Sequence, residues 1–233
     1  MSIKRILVVN AKGGCGKTTI TTNIASHYAQ LGRNVRLFDH DNQGSSLAWI
    51  NRRSASLNQI HGVDASKNQD HRLTRSWKLR VPPETDFSII DTPAGADIME
   101  LSALFQTNDS IIIPVLPSPI DIHATAHFIK NLLTTGKARK NMIRIAVVAN
   151  RVRKNTLVYQ SLERFLSSLN IPFVASLRDT QLYTRAIELG VGVQEINSPR
   201  SKVDKEQWAP IVRWIEAPEN AQSDDVKSLI SQQ

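Results

Sequence analysis

The string Lys12-Gly13-Gly14-Cys15-Gly16-Lys17-Thr18-Thr19 stands directly after the apolar run Ile6-Leu7-Val8-Val9 and directly before a helical pattern from Ile20 to Leu31. Its closely spaced glycines let the backbone turn tightly between strand and helix, so that successive N–H groups and the positive helix end converge on one point. A nest of that kind is an anion site. Lys17 is placed to reach the β and γ phosphates of a nucleotide, and the Thr18 hydroxyl to meet Mg²⁺. A Gly-rich turn of purely structural purpose is the alternative, although such a string arises by chance less than about once in 10⁴ chains of this length.

The next apolar run, Val35-Arg36-Leu37-Phe38, completes a βαβ opening. The rhythm returns at Phe87–Ile90, Ser110–Val115, Ile143–Ala149 and Pro172–Leu177, with helical periods at Ile120–Leu133 and Leu157–Leu169. Continuous apolar strands between helices predict an α/β fold: a doubly wound, mostly parallel sheet flanked by helices. At 233 residues the whole chain, 1–233, reads as a single domain. Two stretches fall outside the rhythm. Residues 52–84 form a polar excursion with His71, Arg72, Arg75, Lys78 and Arg80 around Trp77, readable either as a stacking surface for nucleic acid or as a solvated loop. Residues 219–233 are acidic and polar and are expected to fray.

The plain Walker pattern asks for glycine five residues before Gly16, where this chain has Ala11. In this respect the loop resembles the ParA/MinD family of deviant Walker ATPases, which read Lys-Gly-Gly-x-Gly-Lys-Thr. The resemblance implies ATP and Mg²⁺ as ligands, with Gly13, Gly14, Cys15, Gly16, Lys17, Thr18 and Thr19 around the phosphates. It also implies that Lys12 crosses the interface of an ATP-bound homodimer; an ordinary exposed lysine is the other reading. Three further segments match in order. Phe38-Asp39-His40-Asp41-Asn42-Gln43 suggests Asp41 for positioning the attacking water and Asp39 for supporting the loop and metal shell, against two turn-forming aspartates. Asn42 stands where the family usually has proline. Ile89-Ile90-Asp91-Thr92-Pro93-Ala94-Gly95 gives Asp91 as the Walker B acid that holds Mg²⁺ with Thr18, followed by a switch-like turn in which Ala94 replaces a common proline. Val115-Leu116-Pro117-Ser118-Pro119-Ile120-Asp121 precedes Val147-Val148-Ala149-Asn150-Arg151, where the resemblance gives Asn150 an adenine-reading role and a plain strand-end cap is the alternative.

Composition narrows the partners. A single cysteine, Cys15, excludes an intramolecular disulfide, and no apolar run is long enough to span a bilayer. His123 and His127 lack the glutamate of a zinc-protease motif. A formal charge of +8 favours a polyanionic partner, though a solvated basic face has the same composition. The tail from Ser223 to Gln233 carries Asp224 and Asp225 with only Lys227 for positive charge, which argues against a membrane anchor of the MinD kind. Non-specific DNA is the favoured partner, through Arg178, Arg185, Arg200, Lys202, Lys205 and Arg213. The run Lys137 to Lys154 is also basic, but Arg144 and Arg151 bracket a strand and cannot join one patch. The expected protein is a cytoplasmic, nucleoid-associated positioning ATPase. It has no N-terminal DNA-reading domain, an adaptor on its cargo stimulates weak hydrolysis, and carboxysomes are one candidate cargo.

Overall fold

The computed structural model describes residues 3–66, 80–107, 109–135, 142–169 and 171–218. Strands β1 (Lys4–Val8), β2 (Val35–Asp39), β3 (His61–Asp64), β4 (Phe87–Asp91), β5 (Ser110–Val115), β6 (Arg144–Val152) and β7 (Phe173–Arg178) form one 7-stranded sheet in the order β3-β2-β4-β1-β5-β6-β7. Every pairing is parallel. Among the described residues the α-helices are α1 (Lys17–Gln30), α2 (Ser45–Arg52), α3 (Ile98–Ser102), α4 (Pro119–Thr134), α5 (Leu157–Ser168), α6 (Gln181–Leu189) and α7 (Lys202–Glu216).

Alternation within the strands builds two cores. Ile6 and Val8 point to one face and pack with Ile24 and Tyr28 of α1, Trp49 of α2 and Trp208 of α7. Leu7 and Val9 point to the other, against Leu101 of α3, Phe128 and Leu132 of α4 and Leu162 of α5. Strands buried on both faces are what a doubly wound sheet requires, and this is why the central runs read as continuously apolar. Ser118, Thr156 and Thr180 cap α4, α5 and α6 by accepting backbone N–H bonds in the first turn. The far end of α7 is held by two cations from the sheet. Lys4 Nζ donates to Ile215 O at 3.2 Å, and Arg144 donates to Ala217 O at 3.1 Å and to Trp214 O.

The excursion departs from its sequence reading. It contains β3, which pairs with β2 from His61↔Arg36 to Asp64↔Asp39. As an edge strand β3 has only one neighbour, and its residues are exposed or half-buried, so it lacks the two-sided apolar signature of the inner strands. The cluster around Trp77, namely His71, Arg72, Arg75 and Lys78, lies outside the described residues, as do Lys137, Arg139, Lys140 and the tail. Among the described residues no helix is long and apolar enough to cross a membrane.

Candidate nucleotide-binding site

Register brings the acids together. β4 lies between β1 and β2, with Asp91 paired to Val8 on one side and to Asp39 on the other, so both carboxylates stand at carboxyl ends of neighbouring strands. The glycine loop leaves β1 at the same edge. In open α/β sheets this crevice at the strand ends is where ligands bind.

The loop is held from below by a residue that the sequence reading passed over. Asn10, fully buried, donates to Pro114 O at 2.7 Å and to Thr125 Oγ1 at 3.2 Å, and its Oδ1 accepts the Lys12 N–H at 3.0 Å. A polar side chain between an apolar strand and the glycines was the only signal of that role. Gly14 and Gly16 adopt left-handed backbone at φ +74° and +94°. Gly16 also has a neighbour: a Cβ there would lie 2.0 Å from Asn150 Nδ2. That same amide donates to Cys15 O at 2.9 Å, while Asn150 Oδ1 accepts from Arg151 N at 3.0 Å. Asn150 is therefore bonded to the loop backbone at the end of β6. Cys15 is buried, its Sγ donating to Lys12 O at 3.2 Å, and burial pushes its thiol pKa up, which fits a space-filler.

Lys17 opens α1 with its ammonium 3.2 Å from Lys12 O. Thr18 Oγ1 donates to Asp91 Oδ2 at 2.8 Å and Thr21 Oγ1 to Asp91 Oδ1 at 3.3 Å. Desolvation pushes the Asp91 pKa up to about 7; the Thr18 hydrogen bond opposes the rise, Asp39 adds to it, and Lys17 and Thr21 oppose it. A divalent cation at this point would reverse that logic and return the carboxylate to its charged form. The donor set fits magnesium, which keeps most of its waters and takes one or two protein oxygens. Among the described residues no group of three His, Cys, Asp or Glu gathers as a metal site of another kind.

Asp39, fully buried, accepts Asp41 N at 3.0 Å through Oδ1, and Ser46 N at 3.0 Å and Leu47 N at 3.2 Å through Oδ2. It thereby caps α2 and ties down the loop that carries Asp41. Asp41 is half-exposed, and its Oδ1 accepts Gln43 N at 3.0 Å. Across the crevice, Thr92 donates to Val8 O at 2.7 Å and Gly95 N to Ala11 O at 3.0 Å, so the turn after Asp91 is hydrogen-bonded to the phosphate loop. Beside Thr19 and Asn150 opens a cavity of about 380 Å³, lined also by Arg151, Arg178, Asp179 and, from α6, Tyr183, Thr184, Ile187 and Glu188. Its size and place suit the base of a nucleotide whose phosphates lie on the loop.

A family model described as "CobQ/CobB/MinD/ParA nucleotide binding domain" matches residues 6–193. The chain belongs to this family. It is 32% identical over 202 residues to the maintenance of carboxysome distribution protein A of Halothiobacillus neapolitanus, covering 86% of this chain and 91% of that one. The protein of the same name from Gloeobacter kilaueensis is 32% identical over 193 residues, covering 81% and 82%. Among solved structures, a putative plasmid partition protein from Borrelia burgdorferi bound to AMPPNP superposes with a TM-score of 0.67 over 91% of this chain and 100% of that one. At 16% identity that likeness bears on the fold alone, and the fold is that of the ParA/MinD P-loop domains.

The basic residues of this ParA/MinD-type domain divide once placed. Arg178 forks onto Asp204, Nε and Nη2 each 2.7 Å from a carboxylate oxygen, and donates to Arg200 O at 3.3 Å. Asp204 is fully buried while the Arg178 side chain is 40% exposed, so the pair ties β7 to α7 from the surface. Arg153 pairs with Asp179 at 2.6 Å, and Arg144 stacks 4.6 Å over the Trp214 ring. Arg185, Arg200, Lys202 and Arg213 are exposed and Lys205 half-buried. At about 100° per residue, Lys202, Lys205 and Arg213 fall within about 80° of one another on α7. Glu206 and Glu216 share that face, so the stripe is mixed in charge.

Proposed function

We propose that this chain is an ATP-hydrolysing switch that dimerises on binding Mg·ATP, holds DNA without sequence preference as a dimer, and distributes an intracellular cargo through an adaptor that stimulates hydrolysis. Carboxysomes are the favoured cargo, on the strength of the two relatives bearing that name. One observation carries the reading. The two lysines of a single loop are placed oppositely: Lys17 is buried over the loop, while Lys12 is exposed and, among the described residues, no hydrogen bond or ion pair holds its ammonium.

Within the protomer, the loop N–H groups and Lys17 take the phosphates, Thr18 and Asp91 would hold Mg²⁺, and the cavity beside Asn150 takes the base. Held there, the metal would supply charge neutralisation on the phosphates. Asp41, half-exposed at the crevice, orients water, and Lys12 reaches the phosphates of a second copy. Phosphoryl transfer is governed by such positioning and charge neutralisation.

Lys12→Ala is expected to retain ATP binding within about threefold, because the uniform binding contacts remain, while losing the ATP-dependent doubling of mass in light scattering. A wild type that stays monomeric with Mg·ATP, or a variant that dimerises like it, overturns the dimer reading. For DNA, dimerisation doubles the basic surface, so binding should be far stronger in ATP than in ADP. The log-log salt slope should fall by about 0.9 for each phosphate contact removed. An Arg200→Ala, Lys202→Ala, Arg213→Ala variant spares the Arg178–Asp204 tie and is the one to titrate against unrelated duplexes. Equal binding in both nucleotides, or an unchanged slope, contradicts the DNA reading; binding to anionic liposomes in its place favours a membrane role.

A further inference from the structure

We propose that the buried Arg53–Glu195 ion pair is a positioning device for the Asp41 loop, joining it through α2 to the helix that lines the base cavity. The inference rests on the role given to Asp41 above.

The geometry starts at the end of α2. The Arg53 guanidinium forks onto Glu195, with Nη1 2.8 Å from Oε2 and Nη2 on Oε1, and the two side chains are 4% and 3% exposed. Arg53 also donates to Asn58 O at 2.9 Å and Gly190 O at 3.3 Å, and its guanidinium lies 5.6 Å from the Trp49 ring centroid. The Trp49 indole N–H reaches Val191 O at 3.2 Å. Gly190, at φ +67°, fits so closely that a Cβ would stand 2.5 Å from the backbone of Arg52 and Arg53. The carboxyl end of α2 is thus bonded to the segment 190–195. Its amino end is bonded to Asp39, which also holds the Asp41 N–H. A rod of 8 residues fixed at both ends carries any shift of one end to the other.

The segment 190–195 is equally tied to the nucleotide side. It follows α6, whose Tyr183, Thr184, Ile187 and Glu188 line the base cavity. Glu195 accepts Gly192 N at 2.8 Å, and Val193 N donates to Asn23 Oδ1 at 2.7 Å. Asn23 donates in turn to Thr19 O at 2.8 Å, in the first turn of the phosphate-loop helix. Stability alone is a poor explanation for this pair, because apolar residues of similar volume often hold a buried position as well or better. What a two-pronged charge-assisted contact adds is a fixed direction. Here that direction sets how α2 leaves the nucleotide-bearing elements.

The test uses an Arg53→Met, Glu195→Gln double variant, which removes both charges together and keeps an acceptor for Gly192. Arg53→Lys is the second variant, retaining charge and giving up the fork. Both are expected to bind ATP within about threefold of wild type and to show single-turnover hydrolysis slowed about tenfold or more, the signature of misplacement without lost affinity. Amide exchange across Asp41–Leu47 should accelerate in both. Combining the double variant with Asp41→Ala should slow hydrolysis no further than Asp41→Ala does, since the pair acts through that residue. Additive slowing overturns the proposal, and so does a loss of ATP affinity in step with the loss of rate, which would mark a merely structural pair. Should Asp41→Ala itself hydrolyse ATP like wild type, the role of Asp41 fails. The amide exchange then still decides: unchanged exchange at Asp41–Leu47 overturns the positioning claim, and faster exchange upholds it.

Discussion

Gly16→Ala is expected to weaken nucleotide binding by about 30-fold or more, while Gly14→Ala weakens it by about 5–30-fold, because only the first combines backbone strain with a collision. Both glycines are left-handed, at φ +94° and +74°, and a side chain there costs roughly 1–2 kcal/mol. A Cβ on Gly14 meets nothing within 4 Å, whereas one on Gly16 meets Asn150 Nδ2 at 2.0 Å. Either the amide moves and leaves Cys15 O, or the loop moves and its N–H groups lose their common focus. Abandoning a buried hydrogen bond costs about 1–3 kcal/mol more. At 1.4 kcal/mol per factor of ten, strain and displacement together, about 2–5 kcal/mol, reach about 1.5 to 3.5 orders of magnitude, against about one for strain alone. Titration of both variants with a fluorescent ATP analogue, alongside melting curves to confirm folding, measures the difference. Equal affinities would show that Asn150 does not fix the loop.

That contrast also shows what the sequence could carry. The glycines were legible because a tight turn between strand and helix has few solutions, and the lysine, threonine and Walker B acid follow at fixed spacing. Six of the seven described strands were legible: the five inner ones because burial on both faces leaves an apolar run, and the edge strand β7 because it keeps apolar letters in Phe173-Val174-Ala175 and Leu177. β3 was not, since an edge strand with exposed residues can be written in polar letters. Nor was α2, whose short amphipathic stretch, Leu47, Trp49 and Ile50, is anchored by contacts distant in sequence, to Val191 and Glu195.

Side-chain roles divide in the same way. Asn150 could be placed at a strand end near the loop, yet which partner its amide takes depends on a register 135 residues away. Arg178 reads as one more free surface cation, and the sequence does not show that this part-exposed side chain forks onto buried Asp204. A composition of +8 cannot tell which cations are tied in this way and which stand free, since each such pair adds nothing to the net charge. Asn10 is the opposite case: a single polar letter beside the glycines, holding the loop from below through three hydrogen bonds.

Asp41→Ala is expected to bind Mg·ATP within about threefold of wild type and to slow hydrolysis by about 10²–10⁴-fold, the range in which one positioned acid–base group contributes. The charge on the phosphates is still met by Lys17 and the metal, so the ATP-bound dimer should persist and accumulate. Alanine alone leaves an ambiguity, because Asp41 Oδ1 also accepts the Gln43 N–H at 3.0 Å and so shapes its own turn. Asp41→Asn resolves it: the amide oxygen keeps that hydrogen bond, while the negative charge is gone. If the residue acts on water, both variants hydrolyse slowly in single-turnover assays; if it is a turn former, the asparagine variant hydrolyses like wild type. Asp39→Ala should behave differently from either. Its carboxylate holds three backbone N–H groups, one buried and two part-buried, so its loss leaves the buried Ser46 donor unsatisfied and lowers the melting temperature, which Asp41→Asn should not. A stable, slow Asp41→Asn protein beside an unstable Asp39→Ala protein would separate the two aspartates into reaction and support; comparable melting losses in both would return them to a single structural role.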